Sequence, residues 1–127
     1  MDNHNLETKI AVINDVTGFG KCGAMVSVPV ISAAGIQCCV LPTSIFSNHT
    51  AYTSYFMDNY TEHMQAYMDE WEKLGLTFDG ILTGFYGSEH QIDIVTDFIK
   101  RFASKETKVI VDPIMGDNGK PDRKSVV

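Results

Sequence analysis

Four short apolar segments alternate with segments of helical periodicity, and this alternation constrains the fold more than any other feature of the sequence. The apolar segments are KIAVIN, IQCCVLP, FDGILTG and KVIVDP, at residues 9–14, 36–42, 78–84 and 108–113. Strands that are apolar throughout and alternate with helices are typical of a parallel sheet covered on both faces. The sequence therefore predicts an α/β fold of three layers, α-β-α, with a mainly parallel sheet.

Three segments between these strands are predicted to be helical. Residues 23–35 are rich in small residues and end at a glycine, and Pro29 is expected to kink this helix or delay its start. Residues 61–75 follow a predicted cap at Asn59, and residues 88–105 begin with a Ser-x-x-Gln capping pattern. The predicted apolar stripes are Met64, Tyr67, Met68, Trp71 and Leu74 in the second helix and Ile92, Val95, Ile99 and Phe102 in the third.

Composition and charge exclude several classes of protein. The chain has 127 residues, which predicts one domain, and its formal net charge of −6 argues against binding to nucleic acid or an anionic membrane. No apolar run is long enough to span a bilayer, and the polar N-terminus does not resemble a signal peptide. Cys22, Cys38 and Cys39 lack any C-x-x-C spacing and are predicted to be buried, unpaired thiols. A reducing, cytoplasmic location is expected.

A glycine-rich segment, NDVTGFGKCGAM, follows the first predicted strand and contains a literal G-x-G-x-x-G at Gly18, Gly20 and Gly23. A dinucleotide site also needs an acidic residue about 20 positions further on, and that region has none. The segment does not match a Walker A loop either, because Ala24 and Met25 occupy the positions of Lys and Ser/Thr. Two interpretations stay open: backbone N–H groups that face a ligand at a helix N-terminus, or a tight turn from strand to helix.

Three further loops follow predicted strands and are expected at the same edge of the sheet. The first is the polar stretch 43–60, which contains FSNHT and is predicted to be a functional loop rather than a plain surface loop. The second is LTGFYGS at 82–88. The third contains Asp112 and Asp117, whose carboxylates would suit Mg²⁺ and a polyphosphate, although Asp, Pro and Gly also simply favour turns.

Together these loops resemble the pyridoxal/pyridoxamine kinase branch of the ribokinase-like superfamily. The matching segments are FSNHT at 46–50, LTGFYGS at 82–88 and VDPIMGDNGK at 111–120, and the first glycine loop also fits. The resemblance covers roughly residues 8–120. The DPIMGD piece is shared with hydroxymethylpyrimidine phosphate kinases, whereas FSNHT is more specific.

The resemblance implies ATP-dependent phosphorylation of the 5′-hydroxymethyl group of pyridoxal, pyridoxamine or pyridoxine, a step of vitamin B6 salvage to pyridoxal 5′-phosphate. The residues that it assigns to the pyridine substrate are Asn14, Phe46, Thr50 and Phe85. The residues that it assigns to the phosphates of ATP and their cation are Asp112 and Asp117, with Asp117 as the metal ligand. The implied cofactor is Mg²⁺, with a monovalent cation as a further candidate, and the full-length family implies a homodimer.

The resemblance also implies that part of the family's machinery lies outside this chain. Residues 1–120 correspond to the N-terminal half of a ribokinase-like domain, and the tail 121–127 does not match the family's continuation. The catalytic base, an aspartate in a glycine-rich anion hole, is expected in the missing half, so no catalytic residue is assigned here. We expect the chain alone to be inactive. The alternatives are a hydroxymethylpyrimidine-type kinase, or a non-catalytic fragment that binds a ligand or oligomerises.

Overall fold

A five-stranded sheet forms the centre of the fold. The structure is a computed structural model and describes residues 4–114, 116–117 and 120–121. The elements in chain order are β1 (Lys9–Phe19), α1 (Ala24–Ala33), β2 (Gln37–Asn48), β3 (Met57–Asn59), α2 (Thr61–Lys73), β4 (Gly80–Thr83), α3 (His90–Phe102), β5 (Lys108–Val111), β6 (Gly116–Asp117) and β7 (Lys120–Pro121). Of the predicted tail at 121–127, only Pro121 lies within the described residues.

The strand order in the main sheet is β3-β2-β1-β4-β5, and β6 and β7 form a separate antiparallel pair. β1 pairs in parallel with β2 and with β4, and β4 pairs in parallel with β5. β3 alone is antiparallel, against the end of β2. This topology confirms the predicted α/β fold with a mainly parallel sheet, and it adds an edge strand inside the stretch that was predicted to be a loop.

Helices cover both faces of the sheet, as the three-layer prediction requires. Side chains of successive strand residues point to opposite faces. Ala11 and Ile13 of β1 belong to the core beneath α2 and α3, whereas Ile10 and Leu82 lie with Ile31 of α1 around a cavity on the other face. The buried core beneath α2 and α3 consists of Ala11, Ile13, Leu41, Met64, Met68, Phe78, Ile81, Ile94, Val95, Phe98 and Phe102.

The first two strands are longer than predicted. β1 continues to Phe19 and β2 to Asn48, and they pair along almost this whole length with a register shift between Asn14 and Val16. Gly18 is therefore part of a strand, and the turn into α1 is made around Gly20 and Gly23, which have φ of 110° and 57°. The prediction that all three glycines shape this turn is wrong for Gly18.

The helices lie where they were predicted, but their caps differ. α1 runs without interruption through Pro29. Tyr60, not Asn59, is the N-cap residue of α2. α3 begins later than predicted, after Glu89, and Ile92 in its predicted stripe is 43% exposed. Its buried positions are Gln91, Ile94, Val95, Phe98 and Phe102.

The three cysteines are free, and each is only half-buried, so the prediction of buried thiols overstated their burial. Burial is the main cause that raises the pKa of the Cys38 and Cys39 thiols. The charge of Lys9 opposes this effect at Cys39. In the described part of the chain, no helix is long and apolar enough to cross a bilayer.

Candidate functional site at the carboxyl edge of the sheet

The carboxyl ends of the parallel strands bring three loops of the sequence together. Asn14 pairs with Pro42 across β1 and β2, and its neighbour Ile13 pairs with Thr83 at the end of β4. Thr83 in turn pairs with Val111, the last residue of β5. Open α/β sheets bind ligands at this edge, so the candidate site lies around the second half of β1, after Asn14, and the loops that follow Thr83 and Val111.

The side chain of Asn14 joins the end of β1 to the loop after β4. Its Oδ1 accepts hydrogen bonds from the backbone N–H groups of Asp15, at 2.9 Å, and Phe85, at 3.0 Å. Gly84 lies so close that an added Cβ would stand 2.6 Å from Asn14 Cγ. In the described part of the chain, Asn14 Nδ2 has no hydrogen-bond partner, so Asn14 is a structural clamp with both amide N–H donors left for a ligand.

Two aromatic rings lie beside this clamp. Phe46 of β2 and Phe85 of the β4–α3 loop have ring centroids 5.8 Å apart, and each side chain is 3% exposed. Tyr55, in the turn before β3, lies 6.0 Å from Phe46 and is partly exposed. Asn14, Phe46 and Phe85 were assigned to the substrate from the resemblance, and the fold brings these three together.

Thr50 lies in the turn after β2 and is half-buried. This turn is held by His49, whose N–H donates to the carbonyl of Phe19 at 2.9 Å and whose Nδ1 accepts from the N–H of Ala51 at 2.9 Å. Among the described residues, the hydroxyl of Thr50 has no hydrogen-bond partner. The turn is therefore anchored to the end of β1, while the Thr50 side chain remains available.

Asp15 was not singled out in the sequence, yet it is the most deeply buried carboxylate at this edge, at 3% exposed. Its Oδ2 accepts a hydrogen bond from Thr17 Oγ1 at 2.7 Å. It also packs against Gly23, the N-cap of α1, where an added Cβ would stand 2.6 Å from both carboxylate oxygens. A helix N-terminus favours a negative charge. The available signal was an acidic residue placed directly between an apolar strand and a glycine loop.

A polar network holds the surrounding loops in place. Gln91 of α3 is fully buried, and its Nε2 donates to the carbonyl of Thr43 at 2.8 Å and to Thr61 Oγ1 at 2.9 Å. Its Oε1 accepts from the N–H of Gly87 at 2.7 Å. Asn59 Nδ2 donates to the carbonyl of Gly87 at 3.1 Å, and Asn59 Oδ1, the atom that would cap α2, instead accepts from Ser44 Oγ at 2.8 Å. The network fixes the loop that carries Phe85 against β2.

No family model matches the chain. A protein of Schizosaccharomyces pombe that is called a pyridoxal kinase is 31% identical over 88 residues, which are 64% of this chain and 25% of that protein. The pyridoxal kinase PdxY of Leifsonia xyli subsp. xyli is 26% identical over 115 residues, which are 86% of this chain and 40% of that protein.

Solved structures extend these similarities. A protein of Bacteroides thetaiotaomicron VPI-5482 that is called a phosphomethylpyrimidine kinase, in a crystal form with pyridoxal, has a TM-score of 0.88 and 41% identity. The match covers 92% of this chain and 41% of that chain. This chain resembles pyridoxal kinases. The pyridoxal kinase of Entamoeba histolytica with PLP, at a TM-score of 0.83 and 23% identity, supports the same fold.

The predicted resemblance to pyridoxal kinases is thus confirmed, together with the predicted α/β fold. The chain spans 25% to 40% of the length of the curated pyridoxal kinases that it matches. The activity of a complete pyridoxal kinase is therefore only a proposal for this chain.

The two aspartates assigned to ATP and its cation are placed differently from the aromatic pair. Asp112 follows β5, two strands away from β1, which corresponds to about 10 Å between backbones at about 4.8 Å per strand. It is exposed, and its N–H donates to the carbonyl of Thr83 at 3.1 Å. The backbone of Asp117 lies in β6, and its side chain is outside the described residues. Asp117 as metal ligand therefore stays a prediction.

Mg²⁺ prefers carboxylate and other oxygen ligands. No group of three or more His, Cys, Asp or Glu side chains comes together among the described residues. Asp112 is an exposed carboxylate of the kind that can supply a single ligand to a hydrated Mg²⁺, which is often held by one or two carboxylates and by substrate phosphates. The described part of the chain therefore fits one ligand of such a cation and does not form a complete metal site.

Proposed function

We propose that this chain is the substrate-holding part of a kinase that transfers a phosphoryl group from ATP to the hydroxymethyl group of a vitamin B6 ring. The single observation that carries the proposal is the pair of rings of Phe46 and Phe85, 5.8 Å apart, with the Asn14 side chain bonded to the backbone N–H of Phe85. It is supported by the 41% identical relative that was crystallised with pyridoxal.

Flat rings with polar ring substituents suit this arrangement. Aromatic side chains give a pyridine ring a stacking or edge contact, and a few converging polar groups fix its orientation. Asn14 Nδ2 can donate to a ring substituent. The Asp15 carboxylate, with one oxygen bonded to Thr17, retains acceptor capacity for a hydroxyl or a protonated ring nitrogen.

In the proposed reaction, the hydroxyl oxygen of the substrate forms a bond to the terminal phosphorus of ATP, the bond from that phosphorus to ADP breaks, and the hydroxyl proton passes to a base. ATP supplies the phosphoryl group, and Mg²⁺ neutralises its charge. The residues of this chain would bind and orient the ring, and Asp112 and Asp117 would lie on the side of the phosphates. We expect no turnover by the chain alone, since the resemblance places the base outside it. A cytoplasmic location and a homodimer of the complete protein belong to the same proposal.

A direct test is the binding of pyridoxine, which lacks the aldehyde that would react with lysines, measured by isothermal titration calorimetry. Phe85→Ala should weaken binding by about tenfold or more, since an aromatic contact and its buried area are lost. Phe56→Ala is the matched control, because Phe56 lies in the same region but is 67% exposed. Equal affinities of the parent chain and Phe85→Ala would refute the aromatic site.

A second candidate is a hydroxymethylpyrimidine-type kinase. The observation that favours it is the name of the structural relative at 41% identity, a phosphomethylpyrimidine kinase. Pyrimidine and pyridine rings with a hydroxymethyl group present the same flat face to Phe46 and Phe85. Titration with 4-amino-5-hydroxymethyl-2-methylpyrimidine in parallel with pyridoxine separates the two candidates by their ratio of dissociation constants.

A further inference from the structure

A second cavity lies at the opposite, amino end of the sheet and plays no part in the proposed function. Its volume is about 470 Å³, within the range of metabolite sites. Its polar lining comes from the start of the chain and from the first residues of β1 and β2, and its apolar lining comes from the end of α2. The lining residues are His4, Leu6, Glu7, Lys9, Gln37, Cys39, Trp71, Leu74 and Leu76.

The unusual member of this lining is Lys9. Its side chain is 2% exposed, so the ammonium group is removed from water. Lys9 Nζ donates a long hydrogen bond of 3.4 Å to the carbonyl of Glu7. Among the described residues, no carboxylate lies within the 4.0 Å that defines an ion pair with Lys9. Lysine is almost never fully buried unless it is paired, and two of its three donors are unused here.

Neighbouring groups compensate this charge only in part. The carbonyl end of α2, near Trp71 and Leu74, carries a partial negative charge that favours a cation. The Glu7 carboxylate is exposed at the rim of the cavity and does not reach the ammonium. The Cys39 thiol is close enough to feel the charge of Lys9, yet burial keeps its pKa raised, so it supplies no thiolate at neutral pH.

We propose that this cavity binds a small organic anion, a carboxylate or phosphate monoester attached to an apolar or aromatic body. The anionic group would pair with Lys9 Nζ, and the body would lie against Trp71, Leu74 and Leu76. The volume supports a body beyond the anion itself, since one water occupies only about 30 Å³. This site lies at the other end of the sheet from the aromatic pair and is independent of the proposed kinase function.

Trp71 is the one tryptophan of the chain and lies in the wall of the cavity, so its fluorescence reports on binding. The probes are phenyl phosphate and 3-phenylpropionate, with inorganic phosphate for the anion alone and benzyl alcohol for the ring alone. We expect saturable changes with the first two probes and markedly weaker binding of the last two. Comparison of the first two distinguishes a phosphate from a carboxylate preference.

Two pairs of variants test the role of the charge. Lys9→Met keeps the length and removes the charge, and it should weaken phenyl phosphate binding by about tenfold or more, as expected for a lost hydrogen-bonded ion pair. Lys105→Met, on an exposed lysine outside the cavity, should leave binding unchanged. Leu74→Glu places a competing carboxylate at the half-exposed rim and should also weaken binding, whereas Leu74→Gln should not.

Two results would overturn the proposal. If neither phenyl phosphate nor 3-phenylpropionate saturates with the parent chain, the cavity is not an anion site. The same conclusion follows if Lys9→Met binds phenyl phosphate as tightly as the parent chain. If Lys9→Met does not fold, the affinity of Leu74→Glu decides the question in the same way. Thermal unfolding without ligand gives a second measurement. Lys9→Met should raise Tm if the ammonium group of Lys9 is unpaired. A lowered Tm together with no anion binding would show that another part of the chain pairs with this group.

Discussion

The close approach of Gly84 to Asn14 allows a quantitative test of how the end of β1 is coupled to the loop that carries Phe85. An alanine Cβ at position 84 would stand 2.6 Å from Asn14 Cγ and 2.7 Å from its Oδ1, closer than real Cβ atoms come. Gly84 does not have a positive φ, so the backbone itself would accept alanine. The Gly84→Ala substitution must therefore displace the Asn14 side chain and break its two hydrogen bonds, to the N–H groups of Asp15 and Phe85.

The expected loss follows from those two bonds. A part-buried backbone donor left without its partner costs about 1–3 kcal/mol, so two of them predict that Gly84→Ala lowers the free energy of unfolding by about 2–6 kcal/mol. In an Asn14→Ala background the bonds are already absent. There the same substitution should stabilise by about 0.4–1 kcal/mol, because alanine restricts the unfolded chain.

The measurement is a double-mutant cycle by urea unfolding, followed by the fluorescence of Trp71, which packs against the core. Gly35→Ala is the matched control. Its φ is 76° and its surroundings are open, so alanine should cost about 1–2 kcal/mol of backbone strain equally in both backgrounds. If Gly84→Ala costs as much without the Asn14 side chain as with it, the proposed clamp is not the source of the penalty.

Two further predictions concern the frame around the site. Gln91→Met keeps the volume of a buried side chain but removes three hydrogen bonds. It should lower the free energy of unfolding in urea by about 2–4 kcal/mol. A decrease below about 1 kcal/mol would contradict the role of Gln91 in the network. The hydrogen bond from Arg101 holds the pKa of Asp69 below its ordinary value, so this pair stabilises the fold above about pH 4 and loses its effect as the pH falls through the lowered pKa. Arg101→Met should therefore flatten the dependence of Tm on pH below about pH 5, and an unchanged dependence there would refute this.

The alternation of apolar strands and helices was enough to predict the layers and the parallel pairing, because burial on both faces dictates the composition of such strands. The ends of β1 and β2 could not be predicted in the same way. Residues 15–19 and 43–48 are mostly polar or small, and they are strands because their backbones pair with each other, with β3 or with the turn at His49. That pairing depends on tertiary contacts that no local pattern records.

Only part of the candidate site could be predicted from the sequence, because the rest also depends on tertiary contacts. The resemblance placed Asn14, Phe46 and Phe85 near a ring, and the fold does bring them together. Asp15 was not singled out, because its burial depends on a tertiary contact that the local sequence does not record. Its burial results from Gly23, which lacks the Cβ that would otherwise occupy the space of the carboxylate.

The glycine pattern itself then has a steric explanation that needs no phosphate. A Cβ on Gly18 would stand 3.1 Å from the carbonyl oxygen of Ser47, and one on Gly20 would stand 2.9 Å from His49 Cβ. These two glycines let the end of β1 lie against the end of β2, and Gly23 makes room for Asp15. The spacing G-x-G-x-x-G thus arises where three successive packing contacts occur, at the edge that holds the aromatic pair. The literal dinucleotide motif in this chain therefore results from close backbone packing around a buried carboxylate. Under the proposed function, the nucleotide would bind on the side of the sheet edge where Asp112 lies.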